Sequence, residues 1–186
     1  MLRRLLCVAV AVLVPLTASA TVVLAMSMEE MTARVPVVVR GTVHRVDPQW
    51  TEGRTGIWTY AEVVVKEPLK GGARATVLVK QPGGVIGEFG QRVAGAAAFT
   101  PGEDVVLFLE PAVDEANTFV LHSMAASKVT LLNRRGVQVA LRDLSGLSFA
   151  RYGEKNLLQP VDEREVLGTA EAFLARVRAA AKGGAR

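Results

Sequence analysis

From Val37 the apolar residues begin to recur at every second position. Val37, Val39, Gly41 and Val43 alternate with Val38, Arg40, Thr42 and His44, and a period of two predicts a half-buried strand over 37–46. Residues 57–67 predict a second strand, with Ala61, Val63 and Val65 on one face and Trp58, Tyr60, Glu62, Val64 and Lys66 on the other. Leu69-Lys70-Gly71-Gly72 reads as a turn, and 74–81 as a third strand with Ala75, Val77 and Val79 pointing inward. A glycine-rich stretch runs from Pro82-Gly83-Gly84 to Gly95, and Pro101-Gly102 marks a further turn. Residues 105–109 are apolar at every position, as a strand covered on both faces requires. Residues 118–123, 128–132 and 137–142 predict three more strands, the last two flanking a hairpin loop at Asn133-Arg134-Arg135-Gly136.

The period changes near each end. Ser27 and Glu30 form a capping-box pair ahead of Met28, Met31 and Val35, which share a helical face; Pro36 then stops the helix. Asp162 with Glu165 predicts a second helix over 162–182, with Val166, Ala170, Phe173, Val177 and Ala180 along one stripe and residues 183–186 as a frayed tail. Many short strands with a helix at each end predict a mainly β fold. The preferred form is a small antiparallel, partly closed OB-like barrel, which removes sheet edges; a β-sandwich is the alternative. A single β-rich domain over 21–182 accounts for the pattern.

The first twenty residues follow a different rule. Arg3-Arg4, an apolar run from Leu5 to Leu16, and Ala18-Ser19-Ala20 have the tripartite layout of a secretory signal peptide over 1–20. The expectation is an exported chain, periplasmic or extracellular, starting at Thr21 and without a membrane span after cleavage. Removing Arg3 and Arg4 takes Lys+Arg from 22 to 20 against Asp+Glu at 18, so the net charge falls from +4 to +2. With both signs interspersed, that balance gives no reason to expect a nucleic-acid partner. Cys7 is the single cysteine and leaves with the leader, so the mature chain has neither disulfide nor thiol nucleophile.

Four groups of residues are candidates for chemistry. Gly83, Gly84, Gly87 and Gly90 could bring backbone N–H groups to an anion, although no Lys-Ser/Thr follows as a P-loop needs; the alternative is a loop using positive φ. His44 and His122 could meet Glu62 or Glu103 at a metal, but no short-range ligand spacing points to one, and no metal or other cofactor is expected. Ser148, in Gly146-Leu147-Ser148-Phe149-Ala150, partly matches a nucleophile elbow. Trp58 and Tyr60, with Glu62 and Lys66 on the same strand face and Trp50 nearby, form an aromatic surface suited to a protein or glycan partner in the envelope or medium. The competing expectation is that a terminal helix covers them.

Three segments carry a resemblance: Val37 to Val43, Glu62 to Gly71 (EVVVKEPLKG), and Pro101 to Leu109 (PGEDVVLFL). Their order resembles a group of small exported bacterial proteins of unassigned function and, more distantly, the OB-like barrel of netrin-module and tissue-metalloproteinase-inhibitor domains. The resemblance spans roughly residues 28–110 and implies a fold. Those inhibitors begin with a zinc-chelating cysteine and are braced by disulfides, which this mature chain lacks. The functional expectation is a non-catalytic binding or accessory domain. The alternatives are an accessory or inhibitory partner of an exported protease, and a serine-type hydrolase using Ser148 and a histidine.

Overall fold

A computed structural model describes residues 21–150 and 164–183. The expected leader, Asp162 and the tail beyond Gly183 lie outside the described residues. Twelve strands are present among these: β1 (Thr21–Leu24), β2 (Val37–Trp50), β3 (Ile57–Lys70), β4 (Thr76–Pro82), β5 (Gly84–Ile86), β6 (Phe89–Gln91), β7 (Asp104–Pro111), β8 (Thr118–Leu121), β9 (Lys128–Arg134), β10 (Val137–Asp143), β11 (Leu147–Ala150) and β12 (Arg164–Thr169). Helix α1 (Met28–Arg34) precedes β2, and helix α2 (Ala170–Gly183) follows β12. The chain is mainly β with one helix towards each end, as its periodicity predicts.

Eight strands form one sheet in the order β12-β10-β9-β7-β2-β3-β4-β8, and β8 returns to pair with β7. Five strands therefore close a ring, through antiparallel contacts everywhere except the short parallel pairing of β4 with β8. Strand β7 makes this possible by dividing one edge. Val105 to Leu107 pair with β9, while Leu109 to Pro111 pair with β8. The sheet bends round on itself rather than splitting into the two stacked sheets of a sandwich, and the expected partly closed, OB-like arrangement is the one formed. Gly41 allows the tight bend: a Cβ there would stand 2.4 Å from Val64 O, opposite a bulge at Lys66.

Two cores share strand β7. Inside the ring, Val39, Val63, Val79, Leu107 and Leu109 pack together. Outside it, Val38, Val106, Phe108, Val129 and Leu131 pack under Met31 of α1 and Phe173 and Val177 of α2. Val105 to Leu109 are all fully buried because alternate side chains feed different cores. The capping box of α1 is complete, with Ser27 Oγ accepting from Glu30 N at 3.1 Å and Glu30 Oε2 accepting from Ser27 N at 2.9 Å. Glu29 of α1 meets Arg176 of α2 at 2.7 Å, and Arg178 donates twice to Glu67 of β3 at 2.7 and 2.8 Å, so charged contacts flank the apolar seat of the helices.

Several boundaries depart from expectation: β2 runs on past residue 46 to Trp50, and β3 takes in Leu69 and Lys70, which the sequence assigns to a turn. Residues 164–169 are not the start of a helix but strand β12, whose Val166 opposes Leu141 of β10 and is 54% exposed. Gly168 at φ +105° is outside helical geometry, and Thr169 Oγ1 accepts from Ala172 N as the helix begins. The spacing of Val166 from the true helical stripe imitates a helix, but pairing with β10 decides the backbone. Ala75 falls before β4 and is exposed instead of inward-facing. Strand β8 ends at Leu121, and a short 3-10 turn at Met124–Ser127 follows. The hairpin loop at 133–136 tightens to Arg135 and Gly136, at φ +51° and +83°, the signature of a two-residue turn that matches strand twist.

Candidate functional site

Strands β3 and β4 lie side by side in the ring, and their outer face carries the predicted aromatic pair. Register places Tyr60 opposite Lys80 and Trp58 opposite Pro82. Val77 and Val79 of β4 point into the ring core, so alternation turns Lys80 outward onto the aromatics. Its Nζ lies 4.6 Å from the centroid of the Trp58 ring. The ammonium is nevertheless shielded, because the segment from Ala112 to Asn117, joining β7 to β8, folds across it. Asp114 Oδ2 stands 2.7 Å from Lys80 Nζ and Glu115 Oε2 at 3.3 Å, while Tyr60 Oη donates to Glu115 Oε2 at 2.8 Å.

Burial of Lys80 to 6% exposure would be unfavourable without these partners. The hydrogen bond to Asp114 raises the Lys80 pKa above its ordinary value and lowers that of Asp114. Desolvation, then the bond to Glu115, raises that of Tyr60. Near neutrality Lys80 is therefore charged, Asp114 ionised and Tyr60 neutral, the states that these contacts use. The aromatic face is thus neither covered by a terminal helix nor left open: α1 and α2 pack over β2, β7, β9 and β10. Glu62 and Lys66 do not join the cluster. Glu62 reaches Arg45 at 3.8 Å; Lys66, displaced at the bulge, reaches Asp104 at 3.5 Å, where Arg40 also binds at 2.8 Å.

The glycine-rich stretch is a projecting hairpin. Gly84 pairs with Gln91 and Ile86 with Phe89, and Gly87 at φ +58° turns the chain between β5 and β6. Gly83 N already donates to Ile57 O at 2.8 Å, and Gly83 O accepts from Thr59 Oγ1 at 2.5 Å. Gly90 sits in β6 without positive φ. The Gly83 N–H thus serves β pairing, and Gly83, Gly84 and Gly87 all take positive φ. Val85 and Phe89 are both 65% exposed on this hairpin, and Trp50 packs edge-on against Phe89 at 5.6 Å.

Behind the hairpin opens a groove of about 1110 Å³. One wall is the hairpin with the segment from Arg92 to Phe99, and the other is the outward extension of the sheet, with Thr130, Leu132 and Leu141. The mouth of the ring contributes Val46, Pro48, Thr59 and Gln81. The groove exists because β9, β10 and β12 continue the sheet past the point where β8 closes the ring. Its lining mixes small apolar side chains with charge. Lys128 Nζ meets Glu103 Oε2 at 2.8 Å and lies 5.0 Å from the Phe99 ring centroid. Asp143 and Arg164 face each other across the β10–β12 pairing. Gln81 donates through Nε2 to Ala97 O, and its buried Oε1 has no hydrogen-bond partner.

The other candidates stay apart. His122 Nδ1 lies 2.7 Å from Glu110 Oε1, whereas His44 is the exposed extra residue of a bulge in β2. Strand β7 separates β2 from β8, so the two histidines do not meet. No group of three metal-ligating side chains occurs among the described residues. Ser148 lies on β11, which pairs in parallel with β1, and has no hydrogen bond to a histidine. The sequence reading missed Lys80 and its two carboxylate partners, although a lysine breaking the apolar run Val77-Leu78-Val79 was a signal. It also missed the groove, whose walls come from segments far apart in sequence. No protein-family model matches this chain, and no curated protein matches it.

Proposed function

We propose that this chain is an exported, non-catalytic binding module whose recognition surface is the groove between the β5–β6 hairpin and the β9–β10 extension. One observation carries the reading: a groove of about 1110 Å³ lined by small apolar side chains with a few charged ones among them. A concave apolar surface with a few polar groups is the usual form of a recognition site. Export is supported by the composition of residues 1–20. Among the described residues no helix is long and apolar enough to cross a membrane. The Lys80 cluster, in this reading, braces the ring instead of contacting a ligand.

The test is capture from envelope and medium fractions with the exported protein as bait. Ala98→Trp and Thr130→Trp fill the groove from opposite walls. Both are expected to abolish capture at unchanged melting temperature. Trp58→Ala is expected to lower stability and leave capture of the folded fraction intact. Undiminished capture by both groove-filling variants, or loss confined to Trp58→Ala, refutes the assignment.

A further inference from the structure

The charges in the groove divide into those that cancel and those that do not. Glu103 is neutralised by Lys128, and Asp143 faces Arg164. Arg92, just after β6, and Arg134, at the end of β9, line opposite walls and are exposed. Among the described residues neither has a carboxylate partner. An arginine without a partner on a concave wall presents a planar fork of donors that matches a carboxylate in two hydrogen bonds. Two such forks, on walls lined by small side chains such as Ala96 and Ala98, suit a narrow ligand carrying spaced negative charges. The aromatic rings that would stack on sugars are engaged elsewhere: Trp58 and Phe99 each have a lysine ammonium against the ring, and Trp50 packs on Phe89.

Resting on the proposed role of the groove, we infer that its ligand is an extended acidic peptide segment. Arg92 and Arg134 hold its carboxylates. Specificity lies in the arginine forks.

The experiment is fluorescence anisotropy with labelled extended peptides of equal length, built from Glu/Ala, Gln/Ala and Lys/Ala, together with an acidic polysaccharide. The expected result is binding of the Glu/Ala peptide at least about tenfold tighter than the Gln/Ala peptide, a difference of about 1.4 kcal/mol. Raising the salt from about 0.1 M to about 1 M should weaken it. Arg92→Glu combined with Arg134→Glu should abolish it and favour the Lys/Ala peptide, and Arg92→Gln with Arg134→Gln should reduce it without changing the melting temperature. Equal binding of Glu/Ala and Gln/Ala peptides, both lost in Ala98→Trp, overturns the ligand class while the groove remains a binding site. Binding that survives Ala98→Trp and Thr130→Trp overturns the groove itself. Tighter binding of the polysaccharide, no binding of any peptide, or occupation of the groove by a second copy in sedimentation also overturns the acidic-peptide inference.

Discussion

Leu107→Ala tests whether the shared strand governs the stability of the whole molecule. Leu107 is fully buried in β7, in register with Val39, and packs among Val63 and Val79 inside the ring. Truncation removes three carbons, and at about 0.8 kcal/mol for each buried methylene the transfer contribution alone is about 2.5 kcal/mol. A cavity contribution adds to it, at about 24 cal/mol per Å³ left unfilled. The neighbours are β-branched valines with stiff χ1 angles, held in a closed ring, so collapse into the space is poor. The expected cost is about 4–5 kcal/mol, the upper part of the range for such truncations. Urea unfolding followed by tryptophan fluorescence should show a lower midpoint at unchanged slope. Val64→Ala, on the outer face of β3 and 42% exposed, is the control and should cost less than about 1 kcal/mol. Costs for the two substitutions within about 1 kcal/mol of each other would show that the interior of the ring relaxes, and the argument from its rigidity would fail.

The Lys80 cluster should respond asymmetrically: Lys80→Met leaves two partly exposed carboxylates that water can solvate, whereas Asp114→Asn with Glu115→Gln leaves a buried ammonium, so the second variant should have the lower urea midpoint. Tyr60 and Lys80 both have pKa values raised by folding, so their contribution is complete below about pH 10 and is lost as pH rises through the folded values; the midpoint should fall more steeply above about pH 10 in the parent than in Tyr60→Phe. Asp114, with its pKa lowered, contributes above about pH 4, and that contribution disappears as acid protonates it. Gly84→Ala would place a Cβ 2.4 Å from Thr59 Oγ1 at φ +144° and should cost about 1–3 kcal/mol in a thermal melt, more than Gly87→Ala, where a Cβ meets nothing within 4 Å.

Much of the fold is legible along the chain because its determinants are local. Alternation marks β2, β3 and β9, the unbroken apolar run marks β7 as buried on both faces, and Ser27 with Glu30 marks the start of α1. These signals need only neighbours within a few residues, through pleat, helical period or capping geometry. Where a distant partner decides, local pattern misleads. Residues 164–169 carry a helical spacing and become β12 because the open edge of β10 offers backbone hydrogen bonds. Trp58 and Tyr60 stand on the face that alternation assigns them, yet what covers that face is a segment some fifty residues away, carrying Asp114 and Glu115. The groove is the clearest case. Arg92 and Arg134 sit in a hairpin exit and a strand end that look like ordinary solvated turns, and only ring closure by β8, with β9 and β10 continuing beyond it, sets them on facing walls. Local sequence determines most of the strands and the face each side chain takes on them; an edge strand such as β12, the partners across the sheet, and hence the concave surfaces, follow from long-range pairing that no short window of sequence contains.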